Sequence, residues 1–275
     1  MKQRLDLALV ERNLVPTRAK AQALILAGDV FVNGQKRTKA GEPVAADATI
    51  EVRGALPFVG RGGYKLDHAL SVFGLDVTGR VALDVGACTG GFTDVLLQRG
   101  AARVYAIDVG YGQLDYRLRT DERVTVLERT NIRQLEVLPD AQLADCGVVD
   151  VSFISLKLAL PAMQRLLQPD SWIVALIKPQ FEAGPQDVSR GGVVRDRRVH
   201  RRVLHDMLSW AAEHQLAPHG LTLSPITGPA GNREFLAWLG GAGPALAVDQ
   251  AIEQALDAVT QQPQADSGDD LAADE

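Results

Sequence analysis

Residues 81 to 94, VALDVGACTGGFTD, restrict what this chain can fold into more than any other stretch. Val81 to Val85 is an apolar run of strand length, Gly86, Gly90 and Gly91 supply a turn, and FTDVLLQ opens a helix. Glycine permits tight turning and close approach by a ligand, and a helix N-terminus adds free amides. The next apolar run, RVYAIDVG, ends in Asp108, 22 residues beyond Gly86, a spacing that suits hydrogen bonding to a ribose diol. Strand-like and helix-period runs go on alternating through most of the chain, so the expected class is α/β.

Dinucleotide-binding enzymes use similar pieces, and a glycine-rich strand–helix turn is weak evidence by itself. Here the spacing is Gly86-x-x-x-Gly90-Gly91 rather than G-x-G-x-x-G, and Asp84 precedes the turn to which a dinucleotide site would bring a pyrophosphate. A carboxylate suits the amino group and sulfonium of S-adenosylmethionine better. The turn residues Cys88, Thr89 and Phe92 join the expected donor site, with Asp108 on the ribose, Asn131 beside the adenine and Asp150 at the methionyl end. VTVLER, CGVVDVSFIS, WIVALIKPQFE, LAPHGLTLSPI and NREFLAWL read as further strands, the last two as a hairpin, and RRVHRRVLHDMLSWAAEH as a basic amphipathic helix. Seven strands with intervening helices describe a class I S-adenosylmethionine-dependent methyltransferase, a Rossmann-like sheet that holds its ligands at the strand carboxyl ends.

The first 54 residues read differently. QRLDLALVER has helical spacing over 3–12, and after the Pro16 break Thr17 is placed to cap a second helix, RAKAQALILA, that Gly28 ends. DVFVNGQKR is a strand entering an Asn33-Gly34 turn, and ATIEV a second strand. The order helix, cap and G-D-V-x-V-N-G resembles the S4 RNA-binding domain, which implies a small α+β module whose Arg18, Lys20, Lys36 and Arg37 contact RNA phosphates, with recognition by shape. The expected organisation is this module at 1–54, a linker at 55–63, the methyltransferase domain at 64–245, a C-terminal helix at 246–260 and a disordered acidic tail at 261–275.

The formal net charge of -5 argues against a nucleic-acid partner only until it is located. Five acids and no base fall in the last 15 residues, whereas residues 187–206 carry six arginines against three aspartates. Arg190 and Arg195 there, and Arg61 in the linker, are expected to grip phosphate. Two cysteines without C-x-x-C spacing give neither a disulfide framework nor a zinc site, so no metal is expected. Apolar runs fall short of the ~18 to 20 residues of a membrane helix, and MKQRLDLALVERN is charged too early for a signal peptide. The expected location is the cytoplasm, without membrane contact and as a monomer.

GRGGYKL, LDVGACTGGFTD, YAIDVGYGQL, RTNIR, DVSFISL, LIKPQFEAG and GPAGNREFL occur in the order found in the TlyA family, an S4 domain fused to a ribose methyltransferase domain of the FtsJ type, and over residues 3 to about 240 the chain closely resembles it. Gly60 stands where relatives often have Ser. The resemblance implies a Lys-Asp-Lys-Glu tetrad at Lys65, Asp150, Lys178 and Glu234 that methylates a ribose 2′-hydroxyl of ribosomal RNA, free or in ribosomal subunits. Because a ribose hydroxyl is a poor nucleophile at neutral pH, it needs a base or a cation beside the developing alkoxide. Lys178 could serve as either, with Lys65 and Glu234 tuning it. A lysine in the first turn of a helix, as Lys65 is, gains nothing from the helix dipole.

Two other function classes fit parts of the pattern: an RNA-binding assembly factor without turnover, and a membrane-active haemolysin, a label such relatives often carry. Cys88 reads as a small turn residue, Ser152 and Ser155 lack a histidine base, and Trp172, Trp210 and Trp238 read as core. His200 and His205 read as solvated or RNA-facing.

Overall fold

The computed structural model describes residues 2–12, 14–15, 18–45, 48–52 and 57–261. Pro16, Thr17 with its expected cap, residues 53–56 at the end of the first module and start of the expected linker, and the tail from 262 onward lie outside the described residues, as does the side chain of Lys20. The chain forms two compact units, Met1–Pro57 and Phe58–Glu275.

In the first unit, α1 (Leu5–Glu11) and α2 (Arg18–Ala27) bury Leu5, Leu9, Leu24 and Ile25 with Val30 and Val32 of a three-stranded sheet, in which β2 (Val30–Val32) lies between β3 (Gln35–Arg37) and β5 (Ile50–Val52). Asn33 (φ 52°) and Gly34 (φ 77°) both take the left-handed conformation that a two-residue hairpin turn requires. Gly28 (φ 77°) ends α2. The first helix is shorter than its periodicity suggests. Lys2–Arg4 is a strand, β1, paired antiparallel with β4 (Pro43–Ala45), and the first amides of α1 are taken by the carbonyls of Glu42 and Ala40. Main-chain pairing from a distant loop thus fixes as strand Gln3 and Arg4, which look helical in sequence.

The second unit is a seven-stranded sheet with helices on both faces and a further short helix, α5 (Tyr116–Arg119). The strands are β6 (Val81–Val85), β7 (Arg103–Ile107), β8 (Val124–Leu127), β9 (Ala144–Val149), β10 (Leu167–Ile177), β11 (Pro218–Leu223) and β12 (Phe235–Gly240), in the order β11-β12-β10-β9-β6-β7-β8. β12 runs opposite to the other six strands, pairing antiparallel with both β10 and β11. The parallel strands bury alternate residues on opposite faces. On β10, Ile173, Ala175 and Ile177 meet α6 (Leu156–Gln164), α8 (Arg197–Glu213) and α9 (Val248–Gln261), while Trp172, Val174 and Leu176 face the layer of α3 (Gly62–Phe73) and α4 (Gly91–Gln98). The same alternation sends Leu83 and Val85 of β6 to the first layer and turns Asp84 towards α4. Connections leave β6 for β7 and β8 and then return to β9. The carboxyl ends of β6 and β9 therefore form a topological switch point, where such sheets bind ligands. Among the described residues no helix is long and apolar enough to cross a membrane.

Candidate active site

Lys65, Asp150, Lys178 and Glu234 come from four elements and meet at that switch point. Helix α3 can begin there because glycines at the starts of α3 and α4 allow contact: a methyl group on Gly63 would lie 2.4 Å from Phe58, and one on Gly91 would lie 2.9 Å from the Gly63 nitrogen. The first turn of α3 thereby sits against the start of α4 and carries Lys65 inward. Its Nζ donates to Glu234 Oε2 at 2.6 Å and lies 4.0 Å from Asp150 Oδ2. Lys178, at the end of β10 where Pro179 opens the short helix α7 (Pro179–Glu182), lies 2.5 Å from Asp150 Oδ1 and donates to Ser152 Oγ at 2.8 Å. The Lys178–Asp150 contact is an ion pair by distance, but it is not aligned as a hydrogen bond, which leaves Asp150 Oδ1 able to accept one. The side chains of Lys65, Lys178 and Glu234 are 9%, 10% and 1% exposed, and each buried charge faces an opposite one. Gln180 Nε2 reaches Glu234 Oε1 at 3.5 Å.

The glycine turn runs beside this cluster. Gly86 (φ 86°) approaches β9 so closely that a methyl group there would lie 2.3 Å from the Asp150 carbonyl oxygen. Cys88 also has positive φ (49°), and its amide donates to Asp108 Oδ2 at 2.8 Å. One cavity is lined by Arg61, Lys65, Gly86, Ala87, Cys88, Thr89, Gly91, Phe92 and Asp150. A second shares Ala87 and Cys88 with it and continues along Asp108, Gly110, Gln113, Val126 and Glu128. Together they run from Lys65 and Asp150, past Cys88 and Asp108, to the apolar side chains of Leu114 and Val126. Of the expected donor residues, Asp84, Gly90 and Asn131 line neither cavity. Gly90 (φ 95°) shapes the turn against Leu114 and Leu118, and Asn131 Oδ1 accepts the Arg133 amide to cap a short 3-10 turn. Asp84 is fully buried beneath the turn, accepts from Thr93 Oγ1 at 2.6 Å, and has no partner for Oδ1 among the described residues. Burial pushes its carboxyl up to about 7, against the pull of the Thr93 hydrogen bond.

The expected RNA-facing residues divide. Arg18 shares the buried carboxylate of Asp6 with Arg4 and Gln22, and the hydrogen bonds from Arg4 first, then Gln22 and Arg18, hold that carboxyl well below the usual range. Arg37 pairs with Glu42 at 3.2 Å, and the end of the Lys36 side chain lies over Gly28. Arg61 reaches the Thr227 carbonyl at 3.4 Å. Arg190 and Arg195 are exposed and have no ion-pair partner among the described residues. His200 is not solvated as its basic helix suggests: it is buried, donates from Nε2 to the Val194 carbonyl at 3.1 Å, meets the Phe235 ring edge-on, and burial lowers its pKa. Trp210 is half-buried, whereas Trp172 and Trp238 are core. Among the described residues no group of His, Cys, Asp and Glu side chains could hold a metal ion.

Sequence reasoning also missed several supports. Ser152 binds Lys178, and Glu182 accepts from Ser155 Oγ at 2.6 Å and from the Leu156 amide at 2.8 Å, tying α7 to the start of α6. Phe153 has positive φ (63°), is 91% exposed and leans on Phe181 with ring centroids 4.9 Å apart. Both Ser152 and Phe153 belong to the DVSFIS motif, which was the available signal.

Residues 58–241 match the family of FtsJ-like methyltransferases, and residues 3–50 match the S4 domain. The chain is 48% identical to YqxC of Bacillus subtilis, named as an rRNA methyltransferase, over 86% of this chain and 85% of that one. It is 44% identical to the 16S/23S rRNA (cytidine-2′-O)-methyltransferase TlyA of Mycobacterium tuberculosis over 86% and 89% of the two chains. A solved structure of a Streptococcus thermophilus protein carrying the name hemolysin superposes with a TM-score of 0.75 at 39% identity, covering 94% of this chain and 96% of that one.

Proposed function

This chain belongs to the FtsJ-like methyltransferase family, with an S4 domain ahead of the catalytic one, and on that premise we propose that it methylates a ribose 2′-hydroxyl of ribosomal RNA using S-adenosylmethionine. The observation that carries the reading is the pair of lysine–carboxylate contacts, Lys65–Glu234 and Lys178–Asp150, at the rim of the glycine-turn cavity. S-adenosylmethionine, when bound, supplies the methyl group from a sulfonium. The residues around it hold, orient and move a proton. Asp150 offers a carboxylate to the cationic end, and the backbone of Gly86 to Thr89 bounds the middle. Asp108 retains acceptor capacity for a ribose diol beyond its bonds to the Cys88 and Gly110 amides.

Lys178 acts on the substrate hydroxyl, either accepting its proton as a neutral amine or shielding the developing alkoxide as an ammonium. Lys65, fixed by Glu234, keeps the second cation in place. Phe153 presents an exposed ring against Phe181, whose own ring lies 5.8 Å from Lys178 Nζ, and a splayed base can stack on it. A cytoplasmic location follows from that substrate.

The test is transfer of radiolabelled methyl from S-adenosylmethionine to purified 30S and 50S subunits, with Lys178→Ala in parallel. Label in RNA that the variant abolishes supports the reading. Binding of both proteins to subunits without label in either favours an assembly factor.

A further inference from the structure

Six arginines crowd residues 190–202, and the structure separates them into two kinds. Arg197, Arg198, Arg201 and Arg202 each pair with a carboxylate, on Glu253 and Asp257, Asp196, Glu253 and Asp187 respectively. Arg190 and Arg195 have none among the described residues, and both are exposed. They flank a loop that is built rather than loose. The Gly192 amide donates to the Ser189 carbonyl at 2.8 Å, which closes a turn with Arg190 at its second position, and Gly192 takes φ 72°. Ser189 closes its base, its amide donating to the Val193 carbonyl at 3.2 Å and its Oγ accepting the Val193 amide at 3.3 Å, and a side chain from a distant segment fastens that base in place. Asn232, 3% exposed, accepts the Val194 amide on Oδ1 at 3.0 Å and donates from Nδ2 to the Gly192 carbonyl at 2.8 Å.

The other end of that fastening is the tetrad. Asn232 lies two residues before Glu234, and its own carbonyl accepts the Gly228 amide at 2.9 Å. Gly228 in turn packs so tightly on Glu234 that a methyl group there would lie 2.6 Å from Oε1. One amide side chain thus joins the loop bearing the two free guanidiniums to the segment that positions Glu234. Resting on the RNA methyltransferase reading, we propose that Asn232 is a positioning residue, holding Arg190 and Arg195 on the RNA phosphates flanking the target in fixed register with the tetrad. Two guanidiniums so held bind phosphodiester oxygens without reading sequence.

A double-mutant cycle in the full-length protein tests this, with kcat and KM for methyl transfer to ribosomal subunits as the readout. Arg190→Gln with Arg195→Gln is expected to raise KM for the subunit by about tenfold with kcat changed less than twofold. The slope of log affinity against log salt should flatten by roughly 1.5 to 2, as loss of two phosphate contacts requires. Asn232→Ala alone is expected to raise KM similarly while leaving S-adenosylmethionine affinity unchanged, and to add almost nothing in the arginine-deficient background. A merely structural asparagine would lower thermal stability and worsen transfer by the same factor in both backgrounds, which would overturn the proposal. If Asn232→Ala does not fold, Gly192→Ala replaces it, since its added methyl meets open space and strains only the loop; additivity there is equally decisive. Transfer by the unaltered protein with an unchanged KM in the arginine variant sinks this inference alone. Absence of transfer by the unaltered protein sinks the functional reading beneath it.

Discussion

Removing Lys65, Glu234 or both should separate what the pair does for folding from what it does for catalysis. The two groups are 2.6 Å apart and almost fully buried, so deleting one leaves the other charged and out of water, at a cost of about 3–5 kcal/mol. The two deletions are not equivalent. A stranded Glu234 keeps only the Gln180 amide at 3.5 Å, whereas a stranded Lys65 keeps the Asp150 carboxylate at 4.0 Å. Lys65→Met should therefore lie at the upper end of that range, about 5 kcal/mol, and Glu234→Gln at the lower end, about 3, and the double variant, which buries no unpaired charge, at about 1. At roughly 2–4 °C per kcal/mol for a unit of this size, Lys65→Met should melt 10 °C or more below the parent, and the double variant should recover most of that. Tryptophan fluorescence during urea or thermal unfolding reads the right unit, because Trp172, Trp210 and Trp238 all lie in it. Methyl transfer should be lost in all three variants, including the stable one. A double variant as unstable as the sum of the singles, or one that transfers methyl, would refute the reasoning.

Asp84, with its carboxyl raised from 3.8 to about 7, keeps a proton when folded that the unfolded chain has lost between about pH 4 and 7. Asp84 should accordingly contribute stability that is lost as pH rises through that window, against the opposite contribution of buried His200, so the parent should lose more stability across it than Asp84→Asn does in matched denaturation curves. A cationic donor beside the turn should also draw the proton off, releasing up to about half a proton per molecule bound at pH 7, seen by calorimetry in buffers of different ionisation enthalpy. Gly86→Ala forces a methyl group to 2.3 Å from the Asp150 carbonyl at a positive φ, so donor affinity should drop at least tenfold in the same calorimeter. Phe153→Ala should raise KM for RNA by about 10- to 100-fold, the worth of one stacked base. Phe153→Gly should do the same while raising the melting temperature slightly, because the backbone strain at φ 63° is relieved.

Much of the catalytic unit was legible because its signals are local. The run LDVGACTGGFTD gives strand, turn and helix in one reading, the unbroken apolar run WIVALI reflects a strand buried on both faces, and Asn33-Gly34 marks a hairpin. What escaped depends on distant partners. KQR carries no strand pattern, and becomes β1 only because Pro43–Ala45 offers a backbone to pair with. Asp6 reads as a surface acid in a first helical turn, yet two arginines and a glutamine make its burial possible. His200 was missed needlessly, since it falls four residues before Leu204 and seven before Met207 on the buried stripe of α8. Which arginines of 190–202 are free could not be read from charge counting, because their neutralising partners include Glu253 and Asp257 on another helix.

The central claim is that the reacting atom is a ribose oxygen, and nucleoside mass spectrometry of subunits methylated in vitro addresses it most directly. Digestion to nucleosides should give one in which the added 14 mass units stay with the sugar fragment, at a site resistant to alkaline cleavage, and Lys178→Ala should yield none. A methyl group retained on the base fragment would contradict the assignment of the tetrad to a hydroxyl.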